Sequence, residues 1–152
     1  MIDGVTIAPL PPRRDERGAI FHLLRADDPA FERFGEIYFS LVHPGWVKGW
    51  HRHTLMTLNY AVPVGRIRLV LYDERAASPT RGEVQEIELG VDRYARVRVP
   101  PGVWNGFLGL GEGDALVANC ATHPHDPGEI ERLSPDDRRV PYRWMDGEVR
   151  GG

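Results

Sequence analysis

Apolar and polar positions alternate in short runs along the chain. In RIRLVLYD, Ile67, Leu69 and Leu71 share one parity, and Arg66 and Arg68 the other. EVQEIELG sets Ile87 and Leu89 against Glu86 and Glu88. YARVRVPPG sets Ala95, Val97 and Val99 against Arg96 and Arg98. A period of two sends successive side chains to opposite faces, so each run predicts a strand with one buried face. EIYFSLV and TLNYAVPVG read as strands too, and DALVANCAT, with few charges, as a more central one. Glycines and prolines fall between the runs and punctuate them as turns. One short helix is predicted in DDPAFERFG, where Asp27 or Asp28 can cap and Pro29 can start it. SPDDRRVPY can hold a single helical turn. Short strands at a spacing of roughly 8–12 residues make the class all-β, a sandwich or a closed barrel.

Composition narrows the function classes. The chain has 152 residues, 41% hydrophobic and 27% charged, which suits one soluble domain over 1–152 with a real core. No repeat or linker divides it. Residues 1–12 and 145–152 are expected to be loose or held by a partner subunit. The net charge of −3 and scattered basic residues argue against a nucleic-acid surface. No run approaches the ~20 apolar residues of a membrane span, and the first residues carry no apolar signal core. Cys120 stands alone, which excludes an internal disulfide and fits a cytoplasmic protein; LVANCAT reads as a strand with a structural thiol.

The chemistry concentrates in KGWHRH, residues 48–53. His51 and His53 are two apart, so a strand points both imidazoles to one side. Three readings are open: half a metal site, an acid/base pair, or a structural pair. His-x-His at this place resembles the metal-binding cupin barrels, in which a Glu follows and a downstream PxGxxH supplies a further His. Here Thr57 and Leu58 stand where that Glu is expected, and PPGVWNG puts Asn105 in place of the His. Two imidazoles with Asn and Thr make a poor ligand set. HPHD, residues 123–126, reads as a turn, with a role at a pocket mouth possible. Proton chemistry is the stronger reading, because histidine is the usual acid/base near neutral pH. An enolate formed beside a carbonyl also needs a positive or hydrogen-bonding partner. Lys48 is the nearest candidate; regular parity puts it on the Arg52 side, so a turn at Gly49 has to redirect it.

Several segments, in order, resemble the dTDP-4-dehydrorhamnose 3,5-epimerase family: DERG (15–18), VKGWH (47–51), VGRIRLVLYDER (64–75), SPTRGEVQEIELG (78–90), VPPGVWNGFLGL (99–110) and VPYRW (140–144). The match covers roughly residues 13–144. The resemblance implies a cupin-type double-stranded β-helix, that is, a jelly-roll barrel, and a homodimer in which an N-terminal segment crosses to the partner. It implies a nucleoside-diphosphate 4-keto-sugar as ligand, dTDP-linked, and no cofactor. It makes His51 the base that takes the proton beside the ketone. Lys48 replaces the arginine of the family's RGLH, keeping the charge without the bidentate fork, and Arg17 matches a diphosphate contact in DERG. Leu58 stands where the family has a lysine, Ala118 near its tyrosine, Asn105 at a second histidine and Leu69 at an aspartate, while the C-terminal aspartate that pairs with the base has no evident counterpart. GWHRH and VPPGVW also resemble the small sugar-nucleotide 3,4-ketoisomerases, which would have His51 and His53 shuttle a proton on one face. The site expected is therefore His51 and His53 as catalytic groups, with Arg17, Lys48, Tyr60, Trp104 and Asn105 binding substrate and no metal. The alternatives are ketoisomerisation, a sugar-nucleotide-binding cupin without activity, and a metal-dependent cupin.

Overall fold

The computed structural model describes residues 1–144 and the backbone of Arg150–Gly151. The alternating runs become strands: β1 Thr6–Pro9, β2 Arg13–Asp15, β3 Gly18–Ile20, β4 Glu36–Val42, β5 Trp46–His53, β6 Leu58–Val64, β7 Arg66–Asp73, β8 Val84–Gly90, β9 Ala95–Val99, β10 Val103–Leu110, β11 Ala115–Ala121, β12 Ile130–Arg132 and β13 Arg150–Gly151. One sheet runs β1-β9-β6-β11-β4. The other runs β12-β5-β10-β7-β8, with β13 also pairing with β5. β2 and β3 form a separate hairpin whose residues are all exposed.

The parity read from the sequence sets the faces. Ile67, Leu69 and Leu71 of β7 are each 0% exposed and join Val97, Val99, Ile87 and Leu89 in one core between the two sheets. Burying each such aliphatic side chain contributes roughly 1.5–3 kcal/mol. A second apolar cluster lies on the other face of the β5-β10-β7 sheet, where Val47, Trp50, Val70, Trp104 and Leu108 pack under Val140 and Trp144.

Three expectations change. No α-helix forms in 27–35: Asp28 makes a tight turn, accepting the Ala30 amide, and its carboxylate also holds Arg96. Gly35 N then donates to Ala121 O, which commits so short a segment to the sheet edge before a helix could repay its nucleation. Residues 134–140 hold only i→i+3 turns, and the one short helix among the described residues is a 3-10 turn at Val91–Arg93. The beginning of the chain is not loose: Ile2 and Val5 are buried in the core, and β1 pairs with β9. Of the C-terminal stretch, residues 145–149 and 152 lie outside the described residues, while 150–151 run parallel to Trp46–Val47. Cys120 is partly exposed on β11, and burial raises its thiol pKa.

Candidate active site

The site begins with an irregularity in β5. Between Asn105 and Gly106, β10 advances one residue while β5 advances two, from His51 to Gly49. That is a β-bulge, and it resets parity. Trp50 turns into the outer aromatic cluster, and Lys48 joins His51 and His53 on the inner wall. Glycine is required at the crossing, because a Cβ on Gly49 would lie 2.9 Å from Gly106 Cα.

The inner wall borders a cavity of about 450 Å³ open to solvent. Lys48, His51 and His53 come from β5 of one sheet; Glu36, Tyr38 and Ser40 come from β4 of the other. Tyr60 and Phe107 line the cavity from β6 and β10, Arg132 from β12, and His125 from the loop before it. Lys48 is the only lysine in the chain. Its Nζ donates to Ser40 Oγ across the cavity at 2.8 Å, and among the described residues no carboxylate pairs with it.

The two histidines differ in their surroundings. Burial, then the charges of Arg132, His53 and Lys48, push the His51 pKa down to about 4. The ring is thus an uncharged imidazole at neutral pH, able to accept a proton. Arg132 stands opposite it in the β12–β5 ladder. His53 Nδ1 is hydrogen-bonded to Glu129, whose other carboxylate oxygen accepts the Leu55 and Met56 amides at 3.0 and 3.1 Å. Burial opposes ionisation of Glu129, but the His53 and amide hydrogen bonds outweigh it and hold its pKa below the ordinary value. A carboxylate only accepts, so His53 Nδ1 carries the proton and Nε2 is the ring nitrogen not tied to Glu129.

Other residues expected at the site act elsewhere. Asn105 is 1% exposed; its Nδ2 donates to His51 O at 3.1 Å, and its Oδ1 accepts the Tyr60 hydroxyl at 2.9 Å. It braces the backbone at His51. Trp104 is not a cavity wall: adjacent to Asn105 on a strand, it must face the other way. Its indole donates to Glu74 Oε2 at 2.8 Å and is stacked by Arg52 and Arg139. Arg17 does not border the cavity of its own chain; it sits at the exposed turn between β2 and β3, paired with Asp15. Tyr38, Glu129 and Arg132 went unnoticed in the sequence. Among the described residues no group of three His, Cys, Asp or Glu side chains is placed to hold a metal ion.

The family model described as dTDP-4-dehydrorhamnose 3,5-epimerase matches residues 1–150. A probable low-salt glycan biosynthesis epimerase of Haloferax volcanii is 36% identical over 143 residues, covering 93% of this chain and 88% of the relative. The spore coat polysaccharide biosynthesis protein SpsL of Bacillus subtilis is 33% identical over 142 residues, covering 93% and 91%. The crystal structure of a dTDP sugar isomerase from Desulfovibrio desulfuricans superposes with a TM-score of 0.92 at 48% identity, covering 94% and 92% of the two chains. A dTDP-6-deoxy-D-glucose-3,5-epimerase from Legionella pneumophila, in complex with dTDP-4-keto-L-rhamnose, superposes at 0.88 with 23% identity over 100% and 85%, a likeness of fold. The shared architecture is the cupin-type barrel.

Proposed function

This chain belongs to the dTDP-4-dehydrorhamnose 3,5-epimerase family, a family of cofactor-independent sugar-nucleotide epimerases, and we propose from that premise that it inverts a carbon beside the ketone of a nucleoside-diphosphate 4-keto-6-deoxy sugar, dTDP-linked. The observation that carries the reading is His51: an uncharged imidazole on a cavity wall, beside a lysine without a carboxylate partner. His51 removes the proton next to the ketone. Lys48, poised from the same wall, balances the charge that develops on the ketone oxygen. His53, fixed by Glu129, is the partner that orients His51 or relays its proton along the same wall, and Arg132 at its edge faces the diphosphate.

The enzyme works as a homodimer in this reading. The edge strand β4 leaves Ile37, Phe39 and Leu41 exposed at 52%, 60% and 48%, an apolar face that a second copy would cover. The exposed β2–β3 hairpin then has a partner to lie on, and Arg17 is the cation it would bring to the partner's cavity. Light scattering is expected to give a dimer, and Phe39→Asp a monomer. The lone cysteine supports a cytoplasmic setting; no helix among the described residues is long and apolar enough to cross a membrane.

Incubation with dTDP-4-keto-6-deoxyglucose in D₂O tests the activity. Deuterium at C3 or C5 with inversion is the expected result. A C3 ketone would make the enzyme a ketoisomerase instead, and an absence of exchange indistinguishable from His51→Ala would refute the reading.

A further inference from the structure

Inverting a carbon requires that the proton leave one face and a proton arrive at the other, so a base on one wall needs a donor on the opposite wall. This inference rests on the epimerase reading. His51 lies on β5 of one sheet, and the facing wall is β4 of the other, which offers Glu36, Tyr38 and Ser40. Ser40 Oγ accepts from Lys48 Nζ, and an aliphatic hydroxyl is far too weak an acid to serve as the donor. Two phenols border the cavity, and their hydrogen bonds distinguish them. Tyr60 Oη donates to Asn105 Oδ1, and Asn105 is held in that orientation because its Nδ2 donates to His51 O. The Tyr60 proton is therefore committed.

Tyr38 is arranged in the opposite sense. Asn119, 0% exposed on the neighbouring strand β11, accepts the Asn59 amide on its Oδ1 at 3.0 Å. Its Nδ2 is thereby turned to Tyr38 Oη at 3.1 Å. The phenol oxygen accepts, and among the described residues no acceptor takes the phenol's own proton. A fixed amide thus leaves the O–H free to point into the cavity. We propose that Tyr38 is the catalytic acid that protonates the substrate from the face opposite His51.

The step balances. His51 takes the proton from the carbon beside the ketone, and the C–H electron pair becomes the enolate, with imidazolium left behind. The enolate carbon then bonds to the Tyr38 Oη proton on its other face, leaving a phenolate. The Asn119 amide donates to that phenolate, and solvent returns a proton to Tyr38 and takes one from His51. Although the residue is 39% exposed overall, desolvation on the cavity wall raises the Tyr38 pKa, which keeps the phenol protonated at the start of each turnover.

Tyr38→Phe, with the D₂O assay on dTDP-4-keto-6-deoxyglucose, tests the role. The variant removes one hydroxyl from an edge strand, and far-UV circular dichroism together with calorimetric dTDP binding checks that it is folded. The expected result is inversion slowed by ~100-fold or more, the range of a lost general acid. Solvent deuterium should still enter the same C–H position with retention, because His51 can return a deuteron to the face it deprotonated. Inversion at the wild-type rate would overturn the assignment, and so would loss of inversion in Glu36→Gln with Tyr38→Phe unimpaired. Loss of both inversion and exchange in Tyr38→Phe would overturn it as well, since Tyr38 would then be needed for proton removal. A wild-type protein that neither exchanges nor inverts would instead refute the epimerase reading, and the role of Tyr38 with it.

Discussion

Replacing Glu129 in two ways separates the folding of its loop from the chemistry of His53. Glu129 is 5% exposed, and its carboxylate accepts three hydrogen bonds: a buried one from His53 Nδ1 on one oxygen, and on the other a buried one from the Met56 amide and a part-buried one from the Leu55 amide. Glu129→Ala removes the acceptor of all three donors. At roughly 1–3 kcal/mol for each of the two buried donors, with the Leu55 amide able to turn to water, the loss is on the order of 3–5 kcal/mol. For a chain of this size that lowers Tm by ~10 °C or more. Glu129→Gln behaves differently. Its carbonyl oxygen can keep both amides, while its NH2 group now faces His53 Nδ1. An NH2 donates, so His53 must shift its proton to Nε2 and present Nδ1 as the acceptor. The stability loss should then be about 1 kcal/mol. Turnover, however, should fall by ~10²-fold or more, because Gln cannot hold the Nδ1 proton that Glu129 holds and the proton is forced onto the other ring nitrogen. Urea or thermal unfolding and the deuterium assay read the two effects separately. Equal destabilisation of the two variants would refute the amide-holding account. Wild-type turnover in Glu129→Gln would show that the His53 proton position does not matter, and that His53 is structural.

Two more expectations follow from the site and its surroundings. The folded protein disfavours protonated His51, whose pKa falls from 6.5 to about 4, so the unfolded chain binds the extra proton first as pH drops. Stability attributable to this group is unaffected above about pH 7 and falls by about 3 kcal/mol between pH 7 and pH 4; denaturation midpoints across that range should fall less steeply for His51→Gln, and an equal slope would refute the depressed pKa. Trp104→Phe removes the indole bond to Glu74 and weakens the stacking of Arg52 and Arg139 on the outer face, so Tm should drop by a few degrees, for about 1–2 kcal/mol, while KM for the sugar nucleotide stays at the wild-type value; a raised KM would return Trp104 to the binding site.

What the sequence revealed and what it hid divide along a physical line. Strand faces in β7, β8 and β9 were legible because alternation is local and their inner faces are apolar. Parity also held the signal that Trp104 and Asn105, being neighbours on one strand, face opposite ways. Glu129 was hidden because its partner His53 lies 76 positions away, joined only when β12 pairs with β5. Lys48 is placed by a bulge at its neighbour Gly49; the glycine marks the spot in the sequence, but its packing against Gly106 of another strand, which sets the direction of the bulge, is not local. β4 misleads most, because its alternation is clear but its faces are reversed. Glu36, Tyr38 and Ser40 point to the cavity, and Ile37, Phe39 and Leu41 point out. The rule that apolar parity marks the inside assumes a filled interior and a wet exterior. On this strand the interior is a solvent-open cavity rather than a filled core, and Glu36, Tyr38 and Ser40 face it, so the polar parity points inward. An exposed apolar stripe backing a polar inner row is therefore itself a functional signal: it marks a strand that forms a site wall on one face and leaves the other to be covered. The same reversal that hid Tyr38 from a reading of hydrophobicity is what puts it on the cavity wall that the other sheet contributes, across from the strand of His51.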